Sequence, residues 1–363
     1  MPRKLLVVQV AGLSYELAKR LTVLEFKPLQ TVFPALTCPV QASFRTGLPP
    51  EEHGILFNGV WDDTLRRPFF WDQSARHVKG GRIWDDFRRS GGAVAMICWQ
   101  QSLGEAADYI ISPAPIHKHG GGIVSQVYCQ PEDMIEHKEF PLHRYWGPFA
   151  DDRSTQWIVD TTLQVLRQHR PGLCLTYLPT LDYNLQRYGK DEKGLRQIDA
   201  HLKRLRESGY ELIVFGDYAI TPAGEPFYIN RQLLDQGRLK VRSVDGRLYP
   251  DFYRSTDFAV VDHQVAYLMG EKRIIQAPPG RWFAYPWWDN INEAPDYARH
   301  IDIHNKPGFD PCELFLFDRR PERIKGSHGE NQSPVAFGSD AGLEVSTLLE
   351  LSALVRERLR GSR

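Results

Sequence analysis

One hydroxyl side chain lies in a part of the sequence where the backbone is unusually restrained. Thr37 stands between Pro34 and Pro39, and proline limits the conformations of its neighbours and is tolerated in the first turn of a helix. A helix can therefore start here, with the Thr37 hydroxyl in its first turn.

Two pairs of acidic and imidazole side chains are further candidates. Asp262 and His263 are adjacent and precede a strand-like run, while Asp302 and His304 come shortly before Lys306. Carboxylates and imidazoles serve as metal ligands or as general bases. In turns or helix caps the same side chains would only hydrogen-bond to the backbone, and the sequence leaves both interpretations open.

The elements that must position these side chains follow an alternating pattern. Short apolar runs bounded by glycine or polar residues, typical of buried parallel strands, occupy Leu5–Val10, Val94–Cys98, Leu173–Leu178 and Glu211–Phe215. Amphipathic stretches typical of helices occupy Ser154–His169, Leu195–Ser208 and Leu343–Leu359. The alternation predicts an α/β fold with a mostly parallel central sheet and helices on both faces, and functional residues at the carboxyl ends of its strands.

The chain between about residues 227 and 286 has a different character. Short β-type runs at Leu239–Ser243, Phe258–Val261 and Gln264–Met269 are separated by turn sequences. We expect a single domain over residues 1–363, with a small inserted antiparallel subdomain or cap in this part.

Composition excludes some classes of protein. Lys plus Arg and Asp plus Glu are 45 each, which argues against binding of a nucleic acid polymer. The 5 cysteines contain no CxxC pair, which favours a reducing, cytoplasmic setting. No apolar stretch is long enough to cross a membrane, so we expect no membrane partner. The oligomeric state is left open.

The segment from Phe33 to Ile55 resembles the nucleophile segment of the type I phosphodiesterase/nucleotide pyrophosphatase family of the alkaline phosphatase superfamily. In that family a Thr or Ser before Pro opens a helix, and a run like Thr46-Gly47-Leu48-Pro49-Pro50-Glu51-Glu52-His53-Gly54-Ile55 follows. The resemblance extends to Gly326-Ser327-His328-Gly329 and so covers most of the chain. It implies an alkaline phosphatase-like α/β sandwich in which Thr37 attacks phosphorus in line.

The same resemblance implies metal ligands, because two divalent metals, usually zinc, flank the nucleophile in this family. The matching positions that keep a ligand are Asp182, Asp217 and His328. The matching positions that have lost one are Ala11, Gln186 and Tyr218, which replace Asp, His and His. The losses concentrate on the second metal, so we expect a reduced, mononuclear site, with Gln186, Asp262 and His263 as further candidate ligands.

The resemblance therefore predicts a phosphoric ester hydrolase acting on a small phosphodiester or phosphonate, with Gln41 and Asn58 as candidate substrate-binding residues. The cofactor would be one divalent ion, Zn, Mn or Mg, or none. The alternative is a catalytically inactive pseudoenzyme of the same fold that binds a ligand or serves as a scaffold. A third hypothesis is isomerisation or group transfer with Tyr218 and His263 as acid and base.

Overall fold

The computed structural model describes residues 4–118, 123–124, 126–135, 140–299, 306–315 and 320–361. The strands are β1 Leu5–Val10, β2 Phe26–Leu29, β3 Gly59–Asp62, β4 Arg67–Phe70, β5 Val94–Ile97, β6 Tyr109–Pro113, β7 Ile116–His117, β8 Ile123–Val124, β9 Val127–Gln130, β10 Leu173–Leu178, β11 Glu211–Gly216, β12 Thr221–Pro222, β13 Pro226–Phe227, β14 Val241–Val244, β15 Arg247–Pro250, β16 Ala259–Asp262, β17 Val265–Leu268, β18 Arg273–Gln276, β19 Trp282–Phe283, β20 Gly326–Ser327 and β21 Val335–Ser339. The α-helices are α1 Tyr15–Ala18, α2 Thr37–Thr46, α3 Pro50–His53, α4 Asp85–Arg89, α5 Asp152–Gln168, α6 Thr180–Tyr188, α7 Glu192–Arg206, α8 Ile229–Asp235 and α9 Leu348–Arg360.

The central sheet has 8 strands in the described part of the chain, in the order β2-β21-β11-β1-β10-β5-β6-β9. The five inner strands are parallel to one another, in the order β11, β1, β10, β5 and β6. β21, β2 and β9 are added antiparallel at the two edges. The predicted mostly parallel sheet is therefore confirmed.

Helices cover both faces of this sheet, because successive side chains of a strand point to opposite sides. Leu6, Val8 and Val10 of β1 pack in one cluster with residues of α5 and α7. Leu5 and Val7 pack in another cluster with residues of α2 and α9. The alternating apolar residues of a single strand thus hold the two helical layers in place, as predicted.

The register of the sheet brings three loops to one edge. Val10 at the end of β1 pairs with Leu178 at the end of β10 and with Gly216 at the end of β11. The residues that follow these strands include Gly12, Asp182 and Asp217. The carboxyl ends of the parallel strands therefore collect the candidate site, as expected for this class of sheet.

The part of the chain between 227 and 286 is rich in short strands. β16, β17 and β18 form an antiparallel three-stranded sheet, and β14 and β15 form a hairpin. The β-rich character expected there is observed; the interpretation as an inserted cap stays a prediction.

The bounds of all three predicted helices differ from the structure, and α5 and α7 each begin and end a few residues earlier than predicted. The last helix begins at Leu348 instead of Leu343, because the Thr347 side chain accepts from the Glu350 N–H in a capping box. In the described residues, no helix is both long enough and apolar enough to cross a membrane.

Candidate active site

Thr37 is the first residue of α2 and is almost fully buried. It lines a small cavity that is also bordered by Asn58, Trp71, Gln100, Tyr145, Trp146, Tyr177, Pro179, Asp182, Tyr183, Tyr218, His263 and His328. In the first turn of α2, Cys38 N–H donates to Asn58 Oδ1 at 2.9 Å, and Pro39 has no N–H. Among the described residues, no acceptor is paired with the Thr37 N–H. That amide is therefore available to a ligand at the positive end of the helix.

Two phenols surround the Thr37 hydroxyl. The side chains of Tyr177 and Tyr218 line the same cavity as Thr37. Burial raises the pKa of both phenols well above the usual value, so both stay protonated at neutral pH. The hydroxyl is thus held among neutral groups that can donate or accept a hydrogen bond.

Asp182 in α6 has protein donors on both carboxylate oxygens. Gln186 Nε2 lies 2.8 Å from Oδ1 and 2.9 Å from Oδ2, and Tyr218 Oη donates to Oδ1 at 2.9 Å. Burial raises the pKa of Asp182 to about 6, and the bonds from Gln186 and Tyr218 act in the opposite direction. Gln186 and Tyr218, which stand where the family has metal ligands, thus both contact Asp182, which is a retained ligand residue.

Asp217 is fully buried at the end of β11 and is also held by the protein. Its Oδ2 accepts from Gln9 Nε2 at 2.8 Å, and its Oδ1 accepts from the backbone N–H groups of Gly12 at 3.0 Å and Tyr218 at 2.9 Å. Burial raises the pKa of Asp217 to about 8, against the effect of these donors. Asp217 does not line the cavity. Ala11, where the family has an Asp, is fully buried and has no polar side-chain atom.

His328 is one member of a column of four rings. Its ring stacks on Tyr218 at 3.5 Å and 5° and lies 3.8 Å from the ring of His263, which stacks in turn on Phe309 at 3.8 Å. His328 Nδ1 is 3.2 Å from the Ala35 carbonyl oxygen, and its Nε2 is 3.7 Å from Asp182 Oδ1. Burial lowers the pKa of His328 well below the usual value, so its imidazole is neutral at neutral pH.

His263 lines the same cavity and forms a hydrogen-bonded pair with Asp262, which lies behind it and does not line the cavity. His263 Nδ1 is 2.7 Å from Asp262 Oδ1, and Asn58 donates to Asp262 through its backbone N–H at 2.8 Å and its Nδ2 at 3.2 Å. Burial raises the pKa of Asp262 to about 7. The structure thus places Asn58, His263 and Thr37 around one cavity, as the sequence alone could not establish.

Some predicted residues lie elsewhere. Gln41 is fully buried in α2, where its Oε1 accepts from Gln100 N–H at 2.6 Å, and it does not line the cavity. Its role in substrate binding stays a prediction. Asp302 and His304 lie outside the described residues.

The two-metal arrangement that the family resemblance implies does not fit these side chains. The carboxylates of Asp182 and Asp217 receive hydrogen bonds from amide, phenol and backbone donors, which compete with a cation for the same lone pairs. Position 11 has no ligand atom. Within the described ranges, no group of three or more His, Cys, Asp or Glu side chains is arranged to hold a metal ion.

Sequence reasoning identified the replaced ligands but missed what the replacements do. Gln186 and Tyr218 both donate to Asp182, and Gln9 donates to Asp217. A polar Gln9 inside the apolar run of β1 was the signal available for the last of these, because a buried amide needs a partner. No sequence feature indicated Tyr177.

Comparisons with known proteins agree on one family. The sequence profile described as type I phosphodiesterase/nucleotide pyrophosphatase matches residues 16–305. An ectonucleotide pyrophosphatase/phosphodiesterase of Caenorhabditis elegans is 26% identical over 233 residues, which are 60% of this chain and 24% of that protein. The chain therefore spans about a quarter of the length of this curated relative.

Two groups of solved structures share the fold. Murine ectonucleotide pyrophosphatase/phosphodiesterase 5, solved as an inactive variant with AMP, is 14% identical with a TM-score of 0.58, over 99% of this chain and 95% of that one. Phosphonoacetate hydrolase from Sinorhizobium meliloti, solved with phosphonoformate, is 14% identical with a TM-score of 0.55, over 100% and 96% of the two chains.

Proposed function

The chain belongs to the type I phosphodiesterase/nucleotide pyrophosphatase family, and on this basis we propose that it hydrolyses a small phosphodiester or phosphonate with Thr37 as the nucleophile. One observation carries the proposal. The Thr37 hydroxyl lies at the start of a buried helix, in a cavity, beside the first-turn N–H that has no protein acceptor in the described residues. A nucleophile next to an anion-binding amide is the arrangement that phosphoryl transfer needs.

In this mechanism the protein's own groups perform each role. The Thr37 N–H and the positive end of α2 bind a phosphoryl oxygen, while the phenols of Tyr177 and Tyr218 orient the Thr37 hydroxyl. Thr37 Oγ1 attacks phosphorus and the bond to the leaving group breaks. Water then attacks the same phosphorus and frees Thr37. We derive no step through a metal, because the paired-metal arrangement does not fit the residues present.

The substrate class rests on the family and on what two relatives bind. AMP is bound in the murine structure and phosphonoformate in the bacterial hydrolase. We carry over to this chain only a small ligand with one phosphoryl or phosphonyl group. Among the described residues that line the cavity there is no Lys or Arg, which favours a singly charged diester over a dianion.

The single cation expected from the sequence, held by Asp182, Asp217 and His328, stays a prediction. Asp182 and His328 approach each other at the cavity, and Gln186 Oε1 beside them is buried without a partner in the described part of the chain. The Asp217 carboxylate instead accepts hydrogen bonds from Gln9 and Gly12.

A ligand-binding protein without turnover is the second candidate. The hydrogen bonds to both carboxylates favour it, because amide, phenol and backbone donors of the protein take the place that a cation has in the family. Under this candidate the Thr37 end of α2 would bind the same small anions.

Comparing the rate of substrate hydrolysis by wild type and by a Thr37 variant tests the proposal. Purified wild type and Thr37→Ala would be assayed on phosphodiesters, nucleotides and phosphonates, each with chelator and with added Zn, Mn or Mg. We expect wild type to hydrolyse a phosphodiester and Thr37→Ala to lose at least about 100-fold in kcat, since the nucleophile itself is removed. Binding of the same compounds without turnover would support the second candidate.

A further inference from the structure

Three hydrogen-bonded side chains lead from the loop after β4 to the Thr37 cavity. Gln73 Nε2 donates to Gln100 Oε1 at 2.8 Å, and Gln100 Nε2 donates to Tyr145 Oη at 2.8 Å. All three side chains are buried, and Gln100 and Tyr145 line the cavity. This series of hydrogen bonds therefore ends at the wall of the candidate site.

Two backbone groups fix the direction of these hydrogen bonds. Gln101 N–H donates to Gln73 Oε1 at 3.0 Å, and Gln73 Nε2 donates to the Trp71 carbonyl oxygen at 3.0 Å. A backbone N–H can only donate and a carbonyl oxygen can only accept, so the Gln73 amide cannot be reversed. Its Nε2 needs an acceptor, which directs Gln100 Oε1 toward Gln73. Gln100 Nε2 is then the atom that faces Tyr145.

The phenol of Tyr145 is left with a proton to donate. Its oxygen accepts from Gln100 Nε2, and in the described residues no acceptor is paired with its O–H. A phenol has an ordinary pKa of about 10 and keeps this proton at neutral pH. Successive hydrogen bonds polarise one another, so the two amides make the Tyr145 hydroxyl a stronger donor.

The two amides are also anchored to the helix that begins with Thr37. Gln41 lies one turn after Thr37 in α2, and its Oε1 accepts from Gln100 N–H at 2.6 Å. Residues four positions apart share a face of a helix, so Gln41 lies on the Thr37 side of α2. The place of the Tyr145 hydroxyl is therefore set relative to the start of α2 through Gln41 and Gln100.

The size of the cavity limits what can accept from Tyr145. Its volume is about 30 Å³, close to the volume that one water molecule occupies in the liquid. A ligand can therefore place only one small group between Thr37 and Tyr145. In the proposed reaction this is the group that Thr37 attacks, and its oxygens carry the charge that develops in the transition state.

We propose that Tyr145 is a catalytic residue whose hydroxyl donates a hydrogen bond to a phosphoryl oxygen of the substrate, and that Gln100 and Gln73 are its positioning residues. The inference rests on the proposed function at Thr37. No proton is transferred to or from Tyr145. The hydrogen bond strengthens as negative charge grows on the phosphoryl oxygen during the attack by Thr37 Oγ1, so it stabilises the transition state more than the bound substrate.

A second buried tyrosine in this chain offers a matched control. Tyr210 Oη donates to the Pro171 carbonyl oxygen at 2.9 Å, at the amino ends of β10 and β11. This is the opposite edge of the sheet from the site, and neither residue lines the cavity. Tyr210→Phe therefore removes one buried hydroxyl without touching the candidate site.

The test is the rate of hydrolysis of bis(4-nitrophenyl) phosphate. We expect Tyr145→Phe to lower kcat about 10²-fold with KM little changed, because the lost hydrogen bond acts in the transition state. Gln73→Met should lower kcat about 10-fold in the wild-type background and not at all in Tyr145→Phe, because Gln73 acts only through the phenol. Tyr210→Phe should retain wild-type kcat, and thermal unfolding should show all of these variants folded.

The outcomes separate this inference from the proposed function. If Thr37→Ala is inactive while Tyr145→Phe keeps kcat within about threefold of wild type, Tyr145 does not contact the reacting group and the nucleophile stands. If Gln73→Met lowers kcat by the same factor in both backgrounds, the amides do not act through Tyr145 and the inference is overturned. If wild type does not turn over, or Thr37→Ala is as active as wild type, the proposed function fails and the inference with it.

Discussion

Tyr218 Oη donates a 2.9 Å hydrogen bond to Asp182 Oδ1, although Tyr218 occupies the position where the family has a metal-binding His. Gln186, at another lost His, donates to the same carboxylate. Both substitutions change a residue that offers a lone pair into one that offers a proton. The carboxylate is satisfied without a cation, which accounts for how a buried Asp182 is retained.

This account predicts that one substitution restores zinc binding. Gln186→His replaces the donor with an imidazole between Asp182 and His328, which completes a three-residue ligand set. We expect about one zinc per chain in Gln186→His and substoichiometric zinc in wild type, measured by elemental analysis after purification without chelator.

The control uses a similar pair at the surface. Gln156 Nε2 donates to Asp160 Oδ2 at 2.7 Å, and the two residues are four positions apart in α5. This pair does not involve a histidine. Gln156→His should therefore bind no additional zinc. A wild-type chain with one tightly bound zinc, lost in Asp182→Ala/His328→Ala, would contradict the account and support the mononuclear site.

A second prediction concerns the phenol of Tyr218. Tyr218→Phe removes the bond to Asp182 beside Thr37, so we expect a loss of about 0.5–1.5 kcal/mol in the free energy of unfolding and a fall in kcat. Tyr210→Phe removes a buried 2.9 Å bond to the Pro171 carbonyl oxygen, at the amino ends of β10 and β11 and so at the opposite edge of the sheet from the site. Denaturant unfolding should show similar losses for both, and equal kcat in the two variants would refute a role for Tyr218 in positioning Thr37.

A third prediction concerns pH and Asp217. Its pKa of about 8 in the folded state lies above the ordinary 3.8, so the folded state binds this proton more tightly than the unfolded state. The contribution of Asp217 therefore makes stability fall as pH rises from about 4 to 8, by at most about 1.4 kcal/mol per pH unit. Asp217→Asn removes this dependence, and the unpartnered Gln9 Oε1 can accept from the new amide after a flip of the Gln9 side chain.

Chemical unfolding of wild type and Asp217→Asn at pH 5, 7 and 9 measures this effect. We expect the variant to gain stability relative to wild type as pH rises. Asp251→Asn is the control, because the hydrogen bond from Arg242 lowers the pKa of Asp251, so this carboxyl is ionised in both the folded and the unfolded state from pH 5 to 9 and its removal should give a constant difference. A constant difference between wild type and Asp217→Asn over this range would contradict the raised pKa.

Much of the fold could be predicted from local pattern. The buried strands Leu5–Val10 and Leu173–Leu178 have the predicted bounds, because mostly apolar runs between glycine or polar residues indicate buried strands. The start of α9 was misplaced, because the apolar periodicity of Leu343 and Val345 continues past the Thr347 cap that begins the helix.

The site was predictable in its residues but not in its contacts. The family resemblance identified Thr37, Asp182 and His328, and the structure places them around one cavity. The place of His263 at that cavity depends on hydrogen bonds between residues distant in sequence, from Asn58 to Asp262 and from Gln264 to His328, which no local pattern encodes. For the same reason, sequence reasoning could not decide between metal ligand and base for His263.

The most direct measurement is the mass of the protein during turnover. Wild type and Thr37→Ala, both treated with chelator, would be mixed with bis(4-nitrophenyl) phosphate, quenched in acid and digested for mass spectrometry. The account predicts a 4-nitrophenyl phosphoryl adduct on the Thr37 peptide of wild type, formed as 4-nitrophenol is released, and none in Thr37→Ala. Turnover that continues in Thr37→Ala, or that leaves Thr37 unmodified in wild type, would contradict the account.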